Sequence, residues 1–249
     1  MLVTGAARGL GASIASHAAE RGYRVAAVDL EFPSGDHDRP GITAYRASVN
    51  DEIAVADVLD DFGTPDVTVN NAGIVRFGPL VDQSVDDFRA VVDVNLVGCF
   101  VVAAAVARRL IDGMQPGSII NITSMNGVAA GPNAGAYGAS KAGIAMLTAQ
   151  MALEWGGHGI RVNAVAPGLI DAGMSEPIYA DPSTRSARES KVPLGRLGTS
   201  ADIAEVVLFL ASDAAAYVHG QNILVDGGVT GSVIAHLPRP SSVDSVGHS

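Results

Sequence analysis

Short runs of β-branched and other apolar residues alternate along the chain with longer Ala-rich stretches, in which apolar positions recur every three or four residues. The short runs predict buried strands, and the longer stretches predict amphipathic helices. The predicted strands cover residues 2–3, 24–28, 42–49, 67–69, 118–122, 161–165 and 222–225, and the predicted helices cover residues 11–21, 51–62, 88–111, 137–155 and 201–210. Strands separated by helices favour right-handed βαβ units, so the pattern predicts an α/β fold with one doubly wound parallel sheet and helices on both faces.

The domain boundaries follow from the same pattern. Residues 1–231 form a single predicted domain, and residues 232–249 form a tail rich in Pro and Ser to which the sequence assigns no role. Within the domain, residues 173–196 are the least regular stretch, and an irregular segment of this length typically has a function or is mobile. The longest uncharged apolar run, residues 96–107, falls short of the roughly 20 residues of a membrane helix, so no membrane span is predicted.

Composition narrows the class of function. The 249 residues contain 16 Lys and Arg against 26 Asp and Glu, and 48% of them are hydrophobic, which excludes a disordered chain. A net charge of −10 argues against nucleic-acid or anionic-membrane partners, because little counterion release would drive such binding. A lone cysteine, Cys99, cannot form an internal disulfide, so a reducing cytoplasmic location is expected. The histidines are scattered without ligand spacing, so no metal is predicted.

A Gly-rich turn, Thr4–Gly11, follows the first predicted strand and opens the first predicted helix. Its glycines let the backbone approach a pyrophosphate, and the helix N-terminus supplies free N–H groups and partial positive charge. Asp29 ends the next strand at the offset expected of a carboxylate that binds the ribose of a dinucleotide. The combination predicts a Rossmann-type dinucleotide site.

Two residues of this turn region bear on which dinucleotide binds. The Asp29 carboxylate accepts the ribose hydroxyls of NAD, whereas a 2′-phosphate about 4 Å away would be repelled by about 4 kcal/mol at an effective dielectric constant of about 20. Arg8 opposes this preference, because its guanidinium can pair with a phosphate. No basic residue directly follows Asp29, so NAD is the predicted cofactor and NADP stays open.

A second group of residues, Ser124, Tyr137 and Lys141, points to proton transfer. Tyr137 and Lys141 open a predicted helix four residues apart and therefore share one face. A phenol is a poor base near neutral pH, but an ammonium group one turn away, together with a bound nicotinamide cation, favours the phenolate. Tyr137 would then exchange a proton with an alcohol or a ketone, and the Ser124 hydroxyl would hold the substrate oxygen.

The chain resembles the classical short-chain dehydrogenase/reductase family over about residues 2–230. The resemblance rests on the turn Thr4–Gly11, Asn70-Asn71-Ala72-Gly73, Asp93-Val94-Asn95, Ile122-Thr123-Ser124, Tyr137-Gly138-Ala139-Ser140-Lys141, Arg161-Val162-Asn163, Pro167-Gly168 and Val225-Asp226-Gly227-Gly228. It implies hydride transfer between a nicotinamide and a carbinol or carbonyl carbon, with a catalytic tetrad of Asn95, Ser124, Tyr137 and Lys141. It also implies a homotetramer with the helices at about 88–111 and 137–155 as contact surfaces, and a substrate lid at 173–196.

The resemblance further implies which residues contact the cofactor. Asn71 to Gly73 would line the adenosine side and Pro167 to Ile170 the nicotinamide side, while Lys141 would bind the nicotinamide ribose. The complete expected set is Gly5, Arg8, Gly9, Leu10, Gly11, Asp29, Leu30, Ser48, Val49, Asn71, Ala72, Gly73, Tyr137, Lys141, Pro167, Gly168 and Ile170.

A few positions depart from the family pattern. Ser48 stands where the family usually has an Asp that contacts adenine, and Ala172 stands where it usually has a Thr that contacts the nicotinamide amide, which removes a hydrogen bond of about 1 kcal/mol. Met1 lies only three residues before Thr4, so either the first strand is short or the true start lies upstream.

The sequence therefore predicts an NAD-dependent dehydrogenase or ketoreductase that acts on a small secondary alcohol or ketone. One alternative is an NADPH-dependent ketoreductase, such as a 3-oxoacyl carrier-protein reductase, in which Arg8 outweighs Asp29. Another is a non-catalytic NAD-binding scaffold. An enoyl reductase of the same fold is disfavoured, because that group places its lysine farther from the tyrosine than Lys141 lies from Tyr137.

Overall fold

A parallel sheet of seven strands forms the centre of the protein, in the order β3-β2-β1-β4-β5-β6-β7. The computed structural model describes residues 1–33, 39–233 and 237. The strands are β1 (Leu2–Thr4), β2 (Val25–Asp29), β3 (Ile42–Arg46), β4 (Val67–Asn70), β5 (Gly117–Ile122), β6 (Ile160–Pro167) and β7 (Asn222–Val225). Every pairing between these strands is parallel, which confirms the predicted sheet.

Helices cover both faces of the sheet, as predicted. They are α1 (Gly9–Glu20), α2 (Glu52–Phe62), α3 (Val85–Val92), α4 (Gly98–Asp112), α5 (Gly135–Trp155), α6 (Glu176–Tyr179), α7 (Pro182–Glu189) and α8 (Ser200–Ala211). On one face, Val3 belongs to an apolar cluster with buried residues of α1 and α8. On the other face, Leu2 belongs to a cluster with buried residues of α2, α4 and α5. Alternate residues of each central strand are thus buried on opposite faces, as in a doubly wound fold.

Polar side chains fix several helix starts. The Asp51 carboxylate accepts hydrogen bonds from the N–H groups of Ile53 and Ala54, so α2 begins where the sequence predicted. At α8, the Thr199 hydroxyl accepts from the Asp202 N–H, and the Asp202 carboxylate accepts from the Thr199 N–H, which completes a capping box.

The longest predicted helix, residues 88–111, is interrupted in the structure. It comprises α3, a π-helical segment Asp93–Val97 and α4, so the continuous helical stretch is Val85–Asp112. By length and composition, this stretch is the one in the described part of the chain that could cross a membrane, and half of its most apolar window is buried. It packs against β4, β5, α2 and α5, in the manner of a core helix.

Two sequence predictions need correction, and the predicted tail is not tested. Strand β3 ends at Arg46 rather than at residue 49, because the following residues form a polar turn in which Ser48 donates to Asn50. Residues 173–196 contain helices α6 and α7, and α7 begins with Asp181 as its cap and Pro182 in its first turn, a start signal that the sequence displays. The tail at 232–249 lies almost wholly outside the described residues.

Candidate functional site

The turn after β1 lies at the carboxyl edge of the sheet, where the two halves of the strand order meet. Gly5 and Gly9 adopt left-handed backbone angles, with φ of 64° and 57°. Gly11 is required for a different reason, since a Cβ there would lie 2.1 Å from the Gly5 carbonyl oxygen. The turn therefore crosses the start of α1 at a distance that only glycine allows.

Hydrogen bonds from β4 hold this turn in place. The Thr4 hydroxyl accepts from the N–H groups of Asn71 and Ala72, each at 3.0 Å. The Asn71 side-chain amide donates to the carbonyl oxygens of Thr4 and Gly5, at 2.9 and 3.1 Å. The residues predicted on the adenosine side thus form one connected unit with the Gly-rich turn.

The Asp29 carboxylate lies at the end of β2 beside this unit. Its two oxygens accept the N–H groups of Ala7 and Leu30, at 2.9 and 2.8 Å, so the side chain is held in one orientation. Each carboxylate oxygen retains a further lone pair, which suits the two hydroxyls of a ribose. With the glycine turn and the free N-terminus of α1, this arrangement fits a dinucleotide. Arg8 is the N-cap residue of α1 and is exposed, and Leu10 packs partly against the apolar cluster beneath it.

Three predicted catalytic side chains converge at the neighbouring strand end. Ser124 follows β5, Tyr137 lies in the first turn of α5, and Lys141 lies one turn later. The Lys141 ammonium group donates to the Ile122 carbonyl oxygen at 2.7 Å, and its nitrogen lies 5.6 Å from the centre of the Tyr137 ring. Lys141 is buried, so its charge acts on the phenol with little screening by solvent.

Asn95 joins this group through the π-helical segment. Its side-chain oxygen accepts from the Ile74 N–H at 2.8 Å, and its nitrogen donates to the Ile74 carbonyl at 3.0 Å and to the Ser140 hydroxyl at 3.1 Å. Ser140 in turn donates to the Tyr137 carbonyl. Ser140 was not among the predicted site residues, although it directly precedes Lys141. A Cβ at Gly73 would lie 3.1 Å from the Asn95 side-chain oxygen, so the glycine keeps the space above Asn95 open.

The ionisation of these side chains depends mainly on burial. Loss of solvation lowers the pKa of Lys141 to about 8. Loss of solvation on burial also raises the pKa of the Tyr137 phenol, and a hydrogen bond with Ser124 partly opposes this shift. Burial raises the pKa of the nearby Cys99 thiol to about 12, so the thiol stays protonated. Before cofactor binds, the site therefore holds a neutral phenol beside an ammonium group that titrates near pH 8.

The end of β6 carries the residues predicted on the nicotinamide side. A Cβ at Gly168 would lie 2.4 Å from the Cβ of Asp226, so Pro167 and Gly168 pass directly beside the end of β7. Ile170 is buried in the apolar cluster that includes α1. Ala172 packs partly against the same cluster, which gives its methyl group an apolar setting where a threonine would place a hydroxyl.

The first residues of the predicted lid touch the Gly-rich turn. A Cβ at Gly9 would lie 2.8 Å from the Cα of Gly173, so the two backbones are in direct contact. Arg185 of α7 pairs with Glu189 on the same helix and with Asp171, which joins α7 to the segment that follows β6. The start of the predicted lid therefore contacts the turn that is predicted to bind a pyrophosphate.

Two predicted contacts lie in a turn instead of at a strand end. The Ser48 hydroxyl donates to the Asn50 side chain, which donates in turn to Asp93. Val49 is buried against Gly98, where a Cβ would lie 2.5 Å from a Val49 methyl carbon. Both residues follow β3 at the carboxyl edge of the sheet, but the Ser48 hydroxyl is already hydrogen-bonded within its own turn. In the described residues no group of three or more His, Cys, Asp or Glu could hold a metal ion.

Known proteins similar to this chain match it over nearly its full length. The family model described as enoyl-(acyl carrier protein) reductase matches residues 5–230. The 3-oxoacyl-(acyl-carrier-protein) reductase of Thermotoga maritima is 39% identical over 239 residues, which cover 92% of this chain and 96% of the relative.

Two solved structures are also similar to this chain over nearly its full length. A gluconate 5-dehydrogenase from Burkholderia cenocepacia in complex with NADP and tartrate has a TM-score of 0.85 and 33% identity, covering 93% of this chain and 95% of that chain. A 4-hydroxyisoleucine dehydrogenase complexed with NADH has a TM-score of 0.87 and 31% identity, covering 92% of this chain and 98% of that chain. These proteins share the whole domain with this chain and differ from one another in their named substrates and in the bound dinucleotide.

Proposed function

The chain belongs to the short-chain dehydrogenase/reductase family, and on this premise we propose that it transfers a hydride between NAD(H) and a small secondary alcohol or ketone. The observation that carries the proposal is the convergence of Ser124, Tyr137 and Lys141, with Asn95 behind them, beside the Gly-rich turn. When bound, the nicotinamide supplies or accepts the hydride. The side chains of this chain then supply the proton, the orientation of the substrate and the charge.

In the direction of reduction, the Tyr137 hydroxyl donates its proton to the carbonyl oxygen of the substrate as that oxygen gains negative charge. The Ser124 hydroxyl donates a hydrogen bond to the same oxygen and holds it within reach of the phenol. The Lys141 ammonium group stabilises the phenolate that remains. In the direction of oxidation, the same phenolate removes the hydroxyl proton of the alcohol.

Lys141 and Asn95 together connect the phenol to the cofactor side of the site. An ammonium group has three donors, and the Ile122 carbonyl accounts for one of them. The others serve the nicotinamide ribose and a water molecule on the path of the proton to solvent. Asn95 fixes the Ile74 main chain beside that path through both atoms of its side-chain amide.

NAD is the proposed dinucleotide because Asp29 is held by two backbone donors with its charge facing the ribose position. A 2′-phosphate placed there would meet a fixed negative charge. NADP is the alternative, supported by the exposed Arg8 at the N-cap of α1 and by the NADP-bound relative. Because another relative is complexed with NADH, proteins of this fold bind either dinucleotide.

Thermal unfolding with NAD, NADH, NADP and NADPH tests the cofactor. A ligand at about 100 times its dissociation constant adds about 2.7 kcal/mol of stability, so we expect NAD and NADH to raise Tm by about 5 to 10 °C. Asp29→Asn keeps the size of the side chain and removes its charge, so it should lower the preference for NAD over NADP about tenfold or more. A larger shift with NADP(H) in the wild type would promote the ketoreductase alternative, and no shift with any dinucleotide would contradict the proposed function.

The pKa of Lys141 predicts a pH limit for ketone reduction. Because burial lowers the pKa of Lys141 to about 8, the ammonium form is present below that pH and is lost above it. Reduced nicotinamide carries no positive charge, so the limit should persist when NADH is bound. We expect kcat/KM for the ketone at saturating NADH to be constant below about pH 7 and to fall about tenfold per unit above about pH 8. A profile that stays flat to pH 10 would show that Lys141 keeps its charge or is not needed.

The proposed substrate has no strong charge. Two of the three lid arginines pair with carboxylates, Arg185 with Asp171 and Glu189, and Arg196 with Asp202, while the Arg188 guanidinium lies 5.6 Å from the centre of the Tyr179 ring. The charges of Arg185 and Arg196 are therefore balanced by neighbouring carboxylates, which weakens their attraction for an anionic substrate. Similarity to the Thermotoga maritima reductase supports a 3-oxoacyl thioester as the alternative substrate, and a non-catalytic scaffold is a third possibility that the same assays test.

We also propose that the protein is a homotetramer and that it is located in the cytoplasm. Phe100 on α4, and Met146 and Leu153 on α5, expose large apolar side chains along the two helices that a homotetramer would bury. The cytoplasmic location rests on the single cysteine of the sequence.

A further inference from the structure

The helix that carries Tyr137 and Lys141 starts without a cap of its own. The N-cap residue of α5 is Ala134, which has no side-chain hydrogen bond to offer. The first N–H groups of any helix lack partners within the helix. Ala136 is fully buried, so its N–H cannot be satisfied by solvent, and a partner must come from another part of the protein.

Gln83, which lies far away in sequence, supplies that partner. Its side-chain oxygen accepts the Ala136 N–H at 3.0 Å, and its side-chain nitrogen donates to the Arg76 carbonyl at 3.3 Å. A second bond runs parallel to it, from the Gly78 N–H to the Asn133 carbonyl at 3.1 Å. The segment 76–84 is thus joined at two points to the segment that leads into α5.

The backbone just before Tyr137 lies in close contact with the Gln83 side chain. Gly135 has a φ of +46°, and a Cβ there would lie 2.5 Å from the Gln83 side-chain oxygen. Asn133 also adopts a left-handed conformation, with a φ of 63°. Such conformations persist where surrounding contacts enforce them, so these bonds hold the approach to the helix in one geometry.

We propose that Gln83 is a positioning residue for the proton-transfer chemistry. It holds the first turn of α5 so that the Tyr137 hydroxyl lies at the correct distance from Ser124, and it does not touch the reacting atoms. The inference rests on the proposed function, because Tyr137 must be the acid and base for its position to affect turnover.

The first arm of the test is kinetic. Gln83→Ala should lower kcat about tenfold and leave the KM for NADH unchanged, since the cofactor cradle around Asp29 is not involved. Gln83→Glu should restore part of the lost kcat, because its carboxylate accepts the Ala136 N–H but cannot donate to the Arg76 carbonyl. Gln115→Ala is the matched control, since Gln115 is exposed in the loop before β5, at the opposite edge of the sheet from Tyr137, and should leave kcat unchanged.

The second arm is hydrogen exchange in the enzyme without cofactor, which is independent of turnover. Gln83→Ala should speed exchange of the amides at residues 136–138 about fivefold, and Gln83→Glu should not. Unchanged exchange in Gln83→Ala would overturn the capping contact, and faster exchange with an unchanged kcat would overturn the positioning role. If the wild type turns over no alcohol or ketone, the proposed function fails, while the exchange arm still supports or overturns the cap.

Discussion

Replacing Tyr137 with phenylalanine is expected to lower turnover by about a thousandfold or more while leaving NADH affinity nearly unchanged. The variant keeps the aromatic ring beside Lys141 and removes the hydroxyl that we propose exchanges a proton with the substrate. General acid–base groups contribute roughly 10²–10⁴ to rate, so the loss of the proposed proton donor should fall in this range. Steady-state rates in both directions, together with NADH titration by fluorescence, would measure the two effects separately.

Tyr217→Phe provides the control for this experiment. Tyr217 is fully exposed, so removal of its hydroxyl should leave both turnover and stability as in the wild type. Turnover that survives in Tyr137→Phe would mean that another group donates the proton and that the assignment of Tyr137 is wrong. A wild type that binds NADH but turns over no alcohol or ketone would favour the scaffold alternative.

Gly11→Ala is expected to abolish cofactor binding at concentrations that saturate the wild type. A Cβ at this position would lie 2.1 Å from the Gly5 carbonyl oxygen and 2.5 Å from the Asn71 side-chain nitrogen. The first of these atoms belongs to the backbone and cannot rotate away, so the turn and α1 must separate. Overpacking of this kind costs about 1–3 kcal/mol or more, and the displaced turn no longer fits a pyrophosphate. Isothermal titration with NADH, and Tm of the variant without ligand, would measure both consequences.

Gly157→Ala is the matched control, because a Cβ at Gly157 would meet no atom within 4 Å. It introduces the same methyl group into the same fold and should change neither affinity nor Tm by a measurable amount. If Gly11→Ala binds NADH as the wild type does, the turn is not the cradle that we assign.

The fold was predictable because each element carries its own local signal. The central strands are buried on both faces and consist of short apolar runs, and Asp51 marks the start of α2, where its carboxylate accepts two backbone N–H groups. The boundaries that failed lie where polar side chains decide the backbone, as at Ser48 after β3. The break at Asp93–Val97 had no counterpart in the apolar pattern, since a π-helical segment keeps nearly the same spacing.

Spacing alone predicted the site only where its residues are close together in sequence, and the family resemblance supplied the more distant residues. Tyr137 and Lys141 share a helix face by spacing alone, and the offset from Gly11 to Asp29 follows from one βαβ unit. The contacts of Gln83 with Ala136, and of Gly9 with Gly173, join segments that no local pattern connects. Such contacts depend on the packing of the whole domain, so they can be identified only from the structure.

The place of β1 in the sheet has a consequence for how the protein folds. Leu2 pairs with Ala26 on one side and with Thr68 on the other, so the central strand bridges segments that are distant along the chain. Closing such loops costs entropy before the contacts they create can repay it, and domains dominated by non-local pairings fold slowly. The sheet cannot be completed from its two halves until these first residues insert between them. The late step in folding is therefore expected to coincide with the formation of the edge on which the dinucleotide binds.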